Sequence, residues 1–374
     1  MVACTALLAV GAGTIPATPA ASTGAPGRPV PAADRPARVD GWATTTPKQA
    51  GFRPQRLRRV AAEARAARST CLAVVRDGRL VADWNWGTPR TEGRQVFSVT
   101  KSVASALVGI AVRDGDLDID DPVADYVPAW RGTDSADVTV RDLLSNTSGR
   151  YWSEGSDYAD LAFAHDRTQF AIDLPQQFPR GTTWIYNNAA IQVLDRVLRR
   201  ATGRPTDVFA KDRLFGPLGM RHSYLTGDQS GGSTNVYFGL HTTCLDLARF
   251  ARLHLRNGVV GGKRILAKAW VREAVGRSSS DLNAAYGHLW WLNRHGVLRG
   301  YLDPIDEHGQ PLETRVGQLA PVAPASLYAA IGLGDQIAMV DPGSRTIVVR
   351  LGAAESDDFG LTRAARVVTW ASKR

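Results

Sequence analysis

The chain places its predicted β-strands at its two ends and its predicted helices between them. Near the N-terminus, residues 71–75 and 80–82 are rich in β-forming residues and flank Asp77-Gly78, a dipeptide typical of hairpin turns. Three further strands and a terminal helix are predicted near the C-terminus, over 327–331, 337–340, 346–351 and 361–370. Because residues 120–283 show helical segments and long loops instead, the sequence predicts an α+β sheet built from both ends, with an inserted helical region.

Residues 41–374 are predicted to form one folded domain. Its sheet subdomain would cover about 41–119 and 284–374, and its mainly helical subdomain about 120–283. Hydrophobic residues make up 44% of the 374 residues and charged residues 22%, a balance that excludes disorder as the main state. Residues 22–40 are instead rich in Pro, Ala, Gly and Thr, so we predict a disordered linker there.

Residues 1–21 have several features of a signal segment. An apolar run over 2–12 is too short to span a bilayer and is followed by small residues. No Lys or Arg precedes this run, so either the true start lies upstream or the segment is not a leader. We expect a secreted or cell-envelope-associated protein if it is a leader, and a cytoplasmic protein if it is not. We find no other apolar run of membrane length.

The net charge of +9 raises the question of a polyanionic partner. The arginines are scattered through the chain, without interleaved aromatic residues and without a long Lys/Arg run. We therefore expect no nucleic-acid partner and interpret the charge as a solvated basic surface, with an anionic cell envelope as the alternative partner. The sequence does not set the oligomeric state.

Neither a metal nor a cofactor is predicted from the sequence. The seven histidines show no paired-ligand spacing, and there is no glycine-rich nucleotide-binding motif. Cys4, Cys71 and Cys244 fit no zinc-binding spacing either. Whether Cys71 and Cys244 form a disulfide is left open.

The segment 97–110 combines a serine and a lysine with an otherwise apolar helical pattern. In a helix, Ser98 and Lys101 lie one turn apart on the same face, while apolar residues such as Val103 bury the rest. Desolvation lowers the pKa of a buried ammonium group, so Lys101 is a candidate proton acceptor for the Ser98 hydroxyl. The positive helix end beside Ser98 would favour negative charge on a substrate oxygen. The structural alternative is a capping serine followed by a lysine that reaches solvent.

A second segment ends in Tyr186-Asn187-Asn188 and leads into an amphipathic helix over 189–201 that Gly203 ends. Tyr186 would lie at the N-terminal edge of this helix, where the dipole would lower the pKa of its phenol. The two asparagines would lie in capping positions. The structural alternative is an aromatic staple followed by two caps.

Together these segments resemble the serine β-lactamase and penicillin-binding-protein superfamily, in particular its class C-like esterase and 6-aminohexanoate-dimer hydrolase branch. Six matching segments run in the family's order across 41–370, nearly the whole predicted domain. They are 98–101, 138–149, 181–188, 215–220, 286–292 and 332–336. The resemblance implies a β-lactamase-like antiparallel sheet flanked by helices, an α/β/α sandwich with an inserted helical region.

The resemblance also implies a serine hydrolase that cleaves an ester or amide bond in a small-molecule substrate. Ser98 would be the acylated nucleophile, Lys101 its activating partner and Tyr186 the proton relay. Asn188 would orient Lys101 and bind the substrate. The backbone N–H groups of Ser98 and Gln336 would form the oxyanion hole.

The third motif departs from the family's pattern. Relatives carry Lys-Thr-Gly or His-x-Gly there, whose cation helps bind a substrate carboxylate, whereas this chain has Leu333-Gly334-Asp335. The missing cation counts against a true β-lactamase or D-alanyl carboxypeptidase, which are kept as alternatives. It favours neutral or amine-bearing esters and amides as substrates. We hypothesise that Asp335 disfavours acidic substrates; alternatively, it caps a turn.

Aromatic residues of the 286–292 segment are candidates for an acyl pocket. Tyr286 and Trp290 are predicted to line it, with packing in the core as the alternative for Trp290 and Trp291.

A non-catalytic scaffold that holds a cell-wall ligand is the alternative to an enzyme. The presence of Ser98, Lys101 and Tyr186 together counts against this alternative.

Overall fold

The computed structural model describes residues 37–356 and 359–373. The described strands are β1 Arg38–Val39, β2 Trp42–Ala43, β3 Ser69–Arg76, β4 Arg79–Asn85, β5 Arg94–Gln95, β6 Tyr224–Leu225, β7 Leu240–Thr242, β8 Val259–Val260, β9 Lys263–Arg264, β10 Trp291–Leu292, β11 Gly296–Leu298, β12 Arg315–Gly317, β13 Tyr328–Gly332, β14 Gln336–Asp341 and β15 Thr346–Gly352. The described α-helices are α1 Pro54–Ala66, α2 Val99–Asp114, α3 Val140–Ser145, α4 Leu161–Phe163, α5 Arg167–Asp173, α6 Asn188–Thr202, α7 Thr206–Ala210, α8 Gly216–Leu218, α9 Cys244–Leu255, α10 Lys268–Val275 and α11 Gly360–Arg366. Short 3₁₀ and π turns cover Val123–Asp125, Pro128–Trp130, Ser156–Asp160, Lys211–Phe215 and Val367–Ala371.

The main sheet is assembled from both ends of the chain. Its six antiparallel strands lie in the order β10-β13-β14-β15-β3-β4, so the last strand pairs with a strand near the start, as Val348 opposite Val74 shows. In the β3–β4 hairpin, Asp77 and Gly78 both have positive φ, 50° and 75°, the conformation that an Asp-Gly turn supplies. The α+β prediction and the hairpin prediction are both confirmed.

Helices cover both faces of this sheet. Alternate residues of β3 point to opposite faces, so Leu72 and Val74 join one hydrophobic cluster while Ala73 and Val75 join the other. On the first face the sheet packs against α1 and α11, and on the second against α2 and α9. This arrangement is the predicted α/β/α sandwich.

The chain between α2 and β10 supplies the helices α3–α10 and short strand pairs. The subdomain boundaries predicted around this region stay a prediction. The predicted leader and residues 22–36 of the predicted linker lie outside the described residues. The linker was predicted to extend to residue 40, but Arg38–Val39 already forms a strand that pairs with Trp42–Ala43. Within the described part of the chain, no helix is both long and apolar enough to cross a bilayer.

A disulfide joins the sheet to the helical layer. Cys71 in β3 is bonded to Cys244, the first residue of α9, across 173 positions of sequence. Both residues are buried. The structure thus settles the pairing that the sequence left open.

We expect the Cys71→Ala, Cys244→Ala double variant to lose about 2–4 kcal/mol of unfolding free energy, because the unfolded chain is no longer cross-linked. Urea unfolding under oxidising conditions measures this loss, and adding a thiol reductant should destabilise only the wild-type protein. Equal stability of the two proteins without reductant would contradict the prediction.

Candidate active site

Ser98 lies at the start of α2, beside the end of strand β13. It is partly exposed, whereas the helix that follows is buried over most of its length. The preceding residue, Phe97, has a positive φ of 47°, a strained conformation for a residue with a side chain. A Cβ atom on Gly332 would lie only 2.3 Å from the Val96 carbonyl oxygen and 3.1 Å from the Ser98 nitrogen. Glycine therefore lets the strand backbone approach the serine closely.

Lys101 is buried next to Ser98, as predicted from the helical spacing. Its Nζ atom donates to Ser98 Oγ over 2.8 Å and to the Tyr237 carbonyl oxygen over 2.9 Å. It also lies 4.9 Å from the centre of the Tyr186 ring. Burial lowers the pKa of Lys101 to about 7, although the carboxylate of Asp157 acts in the opposite direction. A large fraction of this amine is therefore neutral near pH 7 and able to accept a proton.

Tyr186 is the third member of the cluster. Its phenol lies near enough to the Ser98 hydroxyl to interact with it, and its ring is buried. The predicted effect of the helix dipole is wrong, since burial raises the pKa of Tyr186 above its ordinary value. Tyr186 is therefore protonated in the resting site and is suited to donate a proton rather than to remove one first.

Asp157 is a buried carboxylate that sequence reasoning missed. One oxygen accepts from Asn188 N–H over 3.1 Å, from Asn188 Nδ2 over 2.9 Å and from Trp152 Nε1 over 3.3 Å. The other accepts from Ala189 N–H over 2.9 Å. Burial raises the pKa of Asp157 to about 6, so it is largely ionised at neutral pH. Asp157 thus fixes the start of α6, directly after Tyr186, and places a negative charge near Lys101.

Asn188 lies in this network, in contact with Asp157. Its amide nitrogen donates to Asp157, while the contacts given above for the Lys101 amine are to Ser98 and Tyr237. Asn187 is the capping asparagine, because its side-chain oxygen accepts from Ala190 N–H over 2.8 Å. Asn188 thus contacts Asp157, whose charge acts on Lys101, and the orientation of Lys101 by Asn188 stays a prediction.

The third-motif residues lie next to the site, but their side chains point elsewhere. The Asp335 carboxylate accepts from the N–H groups of Phe359 and Gly360, at the start of α11. This position favours the capping alternative, and an effect of Asp335 on acidic substrates stays a prediction. The Gln336 amide is bonded to loop carbonyls and to Gly352, and Gln336 pairs with Gly332. The Leu333 side chain is exposed.

Of the two aromatic residues predicted to line the pocket, Tyr286 lies beside Tyr186, and its place in a pocket stays a prediction. Tyr286 packs edge-on against Tyr186, with ring centres 6.2 Å apart. Trp290 is fully buried and stacks on Phe250, so its predicted place in the substrate pocket is wrong. Its neighbour Trp291 instead stacks on Tyr186 at 5.8 Å. Consecutive residues point to opposite sides of an extended chain, which places only one of the two tryptophans near the phenol.

A small cleft of about 10 Å³ lies against Tyr186. Its walls combine aromatic side chains with the loop after β11, and it is lined by Trp152, Trp184, Ile185, Tyr186, Arg299, Gly300, Tyr301, Asp303, Ile305 and Pro311. In the described chain, no group of three His, Cys, Asp or Glu side chains is arranged to hold a metal ion.

The chain is similar to hydrolases in sequence and in fold. It is 28% identical over 271 residues to the 6-aminohexanoate-dimer hydrolase of Paenarthrobacter ureafaciens, covering 64% of this chain and 67% of that protein. It is 34% identical over 161 residues to Esterase EstB of Burkholderia gladioli, covering 38% of this chain and 41% of the esterase.

A D-alanine carboxypeptidase structure from Burkholderia cenocepacia superposes with a TM-score of 0.59 at 19% identity, covering 84% of this chain and 97% of that one. This likeness shows the fold. The model of the family described as Beta-lactamase matches residues 57–368, which include Ser98, Lys101 and Tyr186. The chain therefore belongs to the Beta-lactamase family.

Proposed function

We propose that the protein is a serine hydrolase that cleaves ester or amide bonds through an acyl-enzyme on Ser98. The observation that carries the proposal is the 2.8 Å contact between the Ser98 hydroxyl and a buried lysine whose pKa lies near 7. Serine is a weak nucleophile until a neighbouring base accepts its proton, and Lys101 meets this requirement. Hydrolases among its relatives support the same general role.

In the proposed acylation, Ser98 Oγ bonds to the substrate carbonyl carbon while its proton moves to Lys101 Nζ. The C–O or C–N bond to the leaving group then breaks. The leaving group takes a proton from the Tyr186 hydroxyl, and Lys101 returns a proton to Tyr186. In deacylation, water attacks the Ser98 ester and its proton follows the same route, which releases the acid and restores Ser98.

The oxyanion formed in each step needs two hydrogen-bond donors. The Ser98 N–H at the start of α2 is the first. We assign the second to the N–H of Leu333 rather than to that of Gln336, because Leu333 follows Gly332, on which a Cβ atom would lie 3.1 Å from the Ser98 nitrogen. A preorganised donor of this kind lowers the barrier by about 3 kcal/mol.

Labelling with a fluorophosphonate tests the proposal. We expect the intact protein to gain one adduct, and peptide mapping to place it on Ser98. Turnover of p-nitrophenyl esters, nitrocefin, linear 6-aminohexanoate dimer and D-amino-acid amides then defines the substrate. A protein that forms no adduct and turns over none of these compounds would instead be the non-catalytic scaffold.

We expect kcat/KM to rise with pH around a midpoint near 7, as Lys101 loses its proton. Asp157→Asn removes the negative charge that raises the pKa of Lys101, so the midpoint should move to lower pH. A pH profile of kcat/KM measures both values. Asp160→Asn is the matched control, because it removes an exposed charge from the same π turn. Identical midpoints in wild type and Asp157→Asn would contradict the coupling.

A further inference from the structure

A second recess lies away from the Ser98 centre, between β2, the chain after α8 and the last turns of α9. Its volume is about 270 Å³, and none of its lining residues belongs to the site described above. The lining is rich in arginine and consists of Asp40, Gly41, Trp42, Leu218, Gly219, Arg221, Arg249, Arg252 and Val260.

Two of these arginines stand against one aromatic ring. The guanidinium carbon of Arg252 lies 5.4 Å from the centre of the Trp42 ring, and that of Arg249 lies 5.8 Å from it. Arg249 is held by Asp246 over 2.7 Å and by Asp40 over 2.9 Å. Asp40, the acidic residue of the lining, is thus already engaged by Arg249.

Arg252 has no such partner. Within residues 37–356 and 359–373, its guanidinium forms no ion pair and donates no hydrogen bond, and the charged group that acts on it is another cation, Arg256. It is half-buried, and a Cβ atom on Gly78 would lie 3.2 Å from its Nη2. Arg221 lies on the exposed rim and likewise pairs with no carboxylate in the described chain. A half-buried cation without a counter-charge is unfavourable, so the arrangement lacks an anion.

We propose that this recess binds a small phosphate-type oxyanion, held by Arg252 and Arg221 with the anchored Arg249 as the third cation. A guanidinium group offers parallel N–H donors that match two oxygens of a phosphate, and such charge-assisted bonds are stronger than neutral ones. The Nε1 of Trp42 is buried and has no acceptor among the described residues.

The proposal is tested with the full chain in phosphate-free buffer, using inorganic phosphate as the probe and chloride at matched ionic strength as the blank. We expect calorimetry to show saturable 1:1 binding and thermal unfolding to show a matching rise in Tm. Arg252→Gln should weaken phosphate binding about ten- to a hundredfold. Arg252→Lys should lose part of the affinity, because lysine keeps the charge but lacks the parallel N–H donors of the guanidinium group.

The sign of the stability change separates a binding role from a structural one. Without phosphate, Arg252→Gln should unfold at the same temperature as wild type or higher, because an unpaired cation is removed. With saturating phosphate, the wild type should become the more stable protein. Arg65→Gln removes an exposed charge on α1 that is not part of the recess lining, and it should bind phosphate as wild type does.

Equal weakening in Arg252→Gln and Arg65→Gln would overturn the proposal, since general basic charge would then explain the binding. A second experiment measures binding to phosphatidylcholine vesicles with and without phosphatidic acid. Undetectable binding of phosphate by wild type, together with no binding to either kind of vesicle, would also overturn the proposal. Arg252-dependent capture by phosphatidic acid alone would support the same oxyanion chemistry with a lipid headgroup as its source.

Discussion

Replacing Ser98 by alanine is expected to lower kcat by about 10⁴- to 10⁶-fold and to abolish the fluorophosphonate adduct. The reason is that no acyl-enzyme can form once the hydroxyl is lost, whatever the remaining groups contribute to binding. The fold should be preserved, because the Ser98 side chain does not cap α2. The loss of its contacts with Lys101 and Tyr186 should cost about 1 kcal/mol of stability.

Steady-state kinetics and urea unfolding of Ser98→Ala measure these two quantities separately. The matched control is Ser230→Ala, which removes a hydroxyl from a loop of the helical region, where it is bonded to Asp228. Undiminished turnover in Ser98→Ala would remove the nucleophile from the proposed mechanism. If stability also falls, kcat is referred to the folded fraction that the urea unfolding curve gives.

Replacing Lys101 by methionine is expected to lower kcat/KM by about 10²- to 10⁴-fold. Methionine retains the length and the apolar stem of lysine but cannot accept the Ser98 proton. The buried amine also carries a desolvation cost, so the variant should fold with little loss of stability, apart from the unpaired Tyr237 carbonyl.

Two further measurements separate a catalytic role of Lys101 from a structural one. The pH profile of the residual activity should lose its midpoint near 7, since the group that titrates there is absent. Lys268→Met, which changes an exposed lysine on α10, should leave both kcat/KM and the profile unchanged. A Lys101→Met variant that retains the wild-type midpoint would assign the titration to another group.

Local patterns predicted the elements of this fold well. The Asp77-Gly78 turn fixes the register of the β3–β4 hairpin, and Gly203 in a left-handed conformation ends α6, as a glycine after a periodic helix should. These features depend on the backbone preferences of a few consecutive residues. The two strands on either side of the turn after Asp341 could be predicted for the same reason.

The site could be predicted only in part, since some of its features depend on distant contacts. The one-turn spacing of Ser98 and Lys101 is a property of any helix, so their contact could be foreseen. Asp157 lies in a π turn without periodicity, and only the folded chain brings its carboxylate to the start of α6. Nothing local distinguishes Trp290 from Trp291 either, because the orientation of a short strand decides which one meets Tyr186.

The position of β15 between β14 and β3 also affects how the protein is made. The ribosome completes β3 at Arg76, but its neighbour β15 begins only at Thr346. Until β15 has been synthesised, the edge of β3 that β15 will cover stays unpaired, and an unpaired strand edge invites association with other chains. Closing this pair late also spans most of the polypeptide, which favours slow folding. Nascent chains should therefore depend on chaperones more than a protein whose sheet forms in order of synthesis.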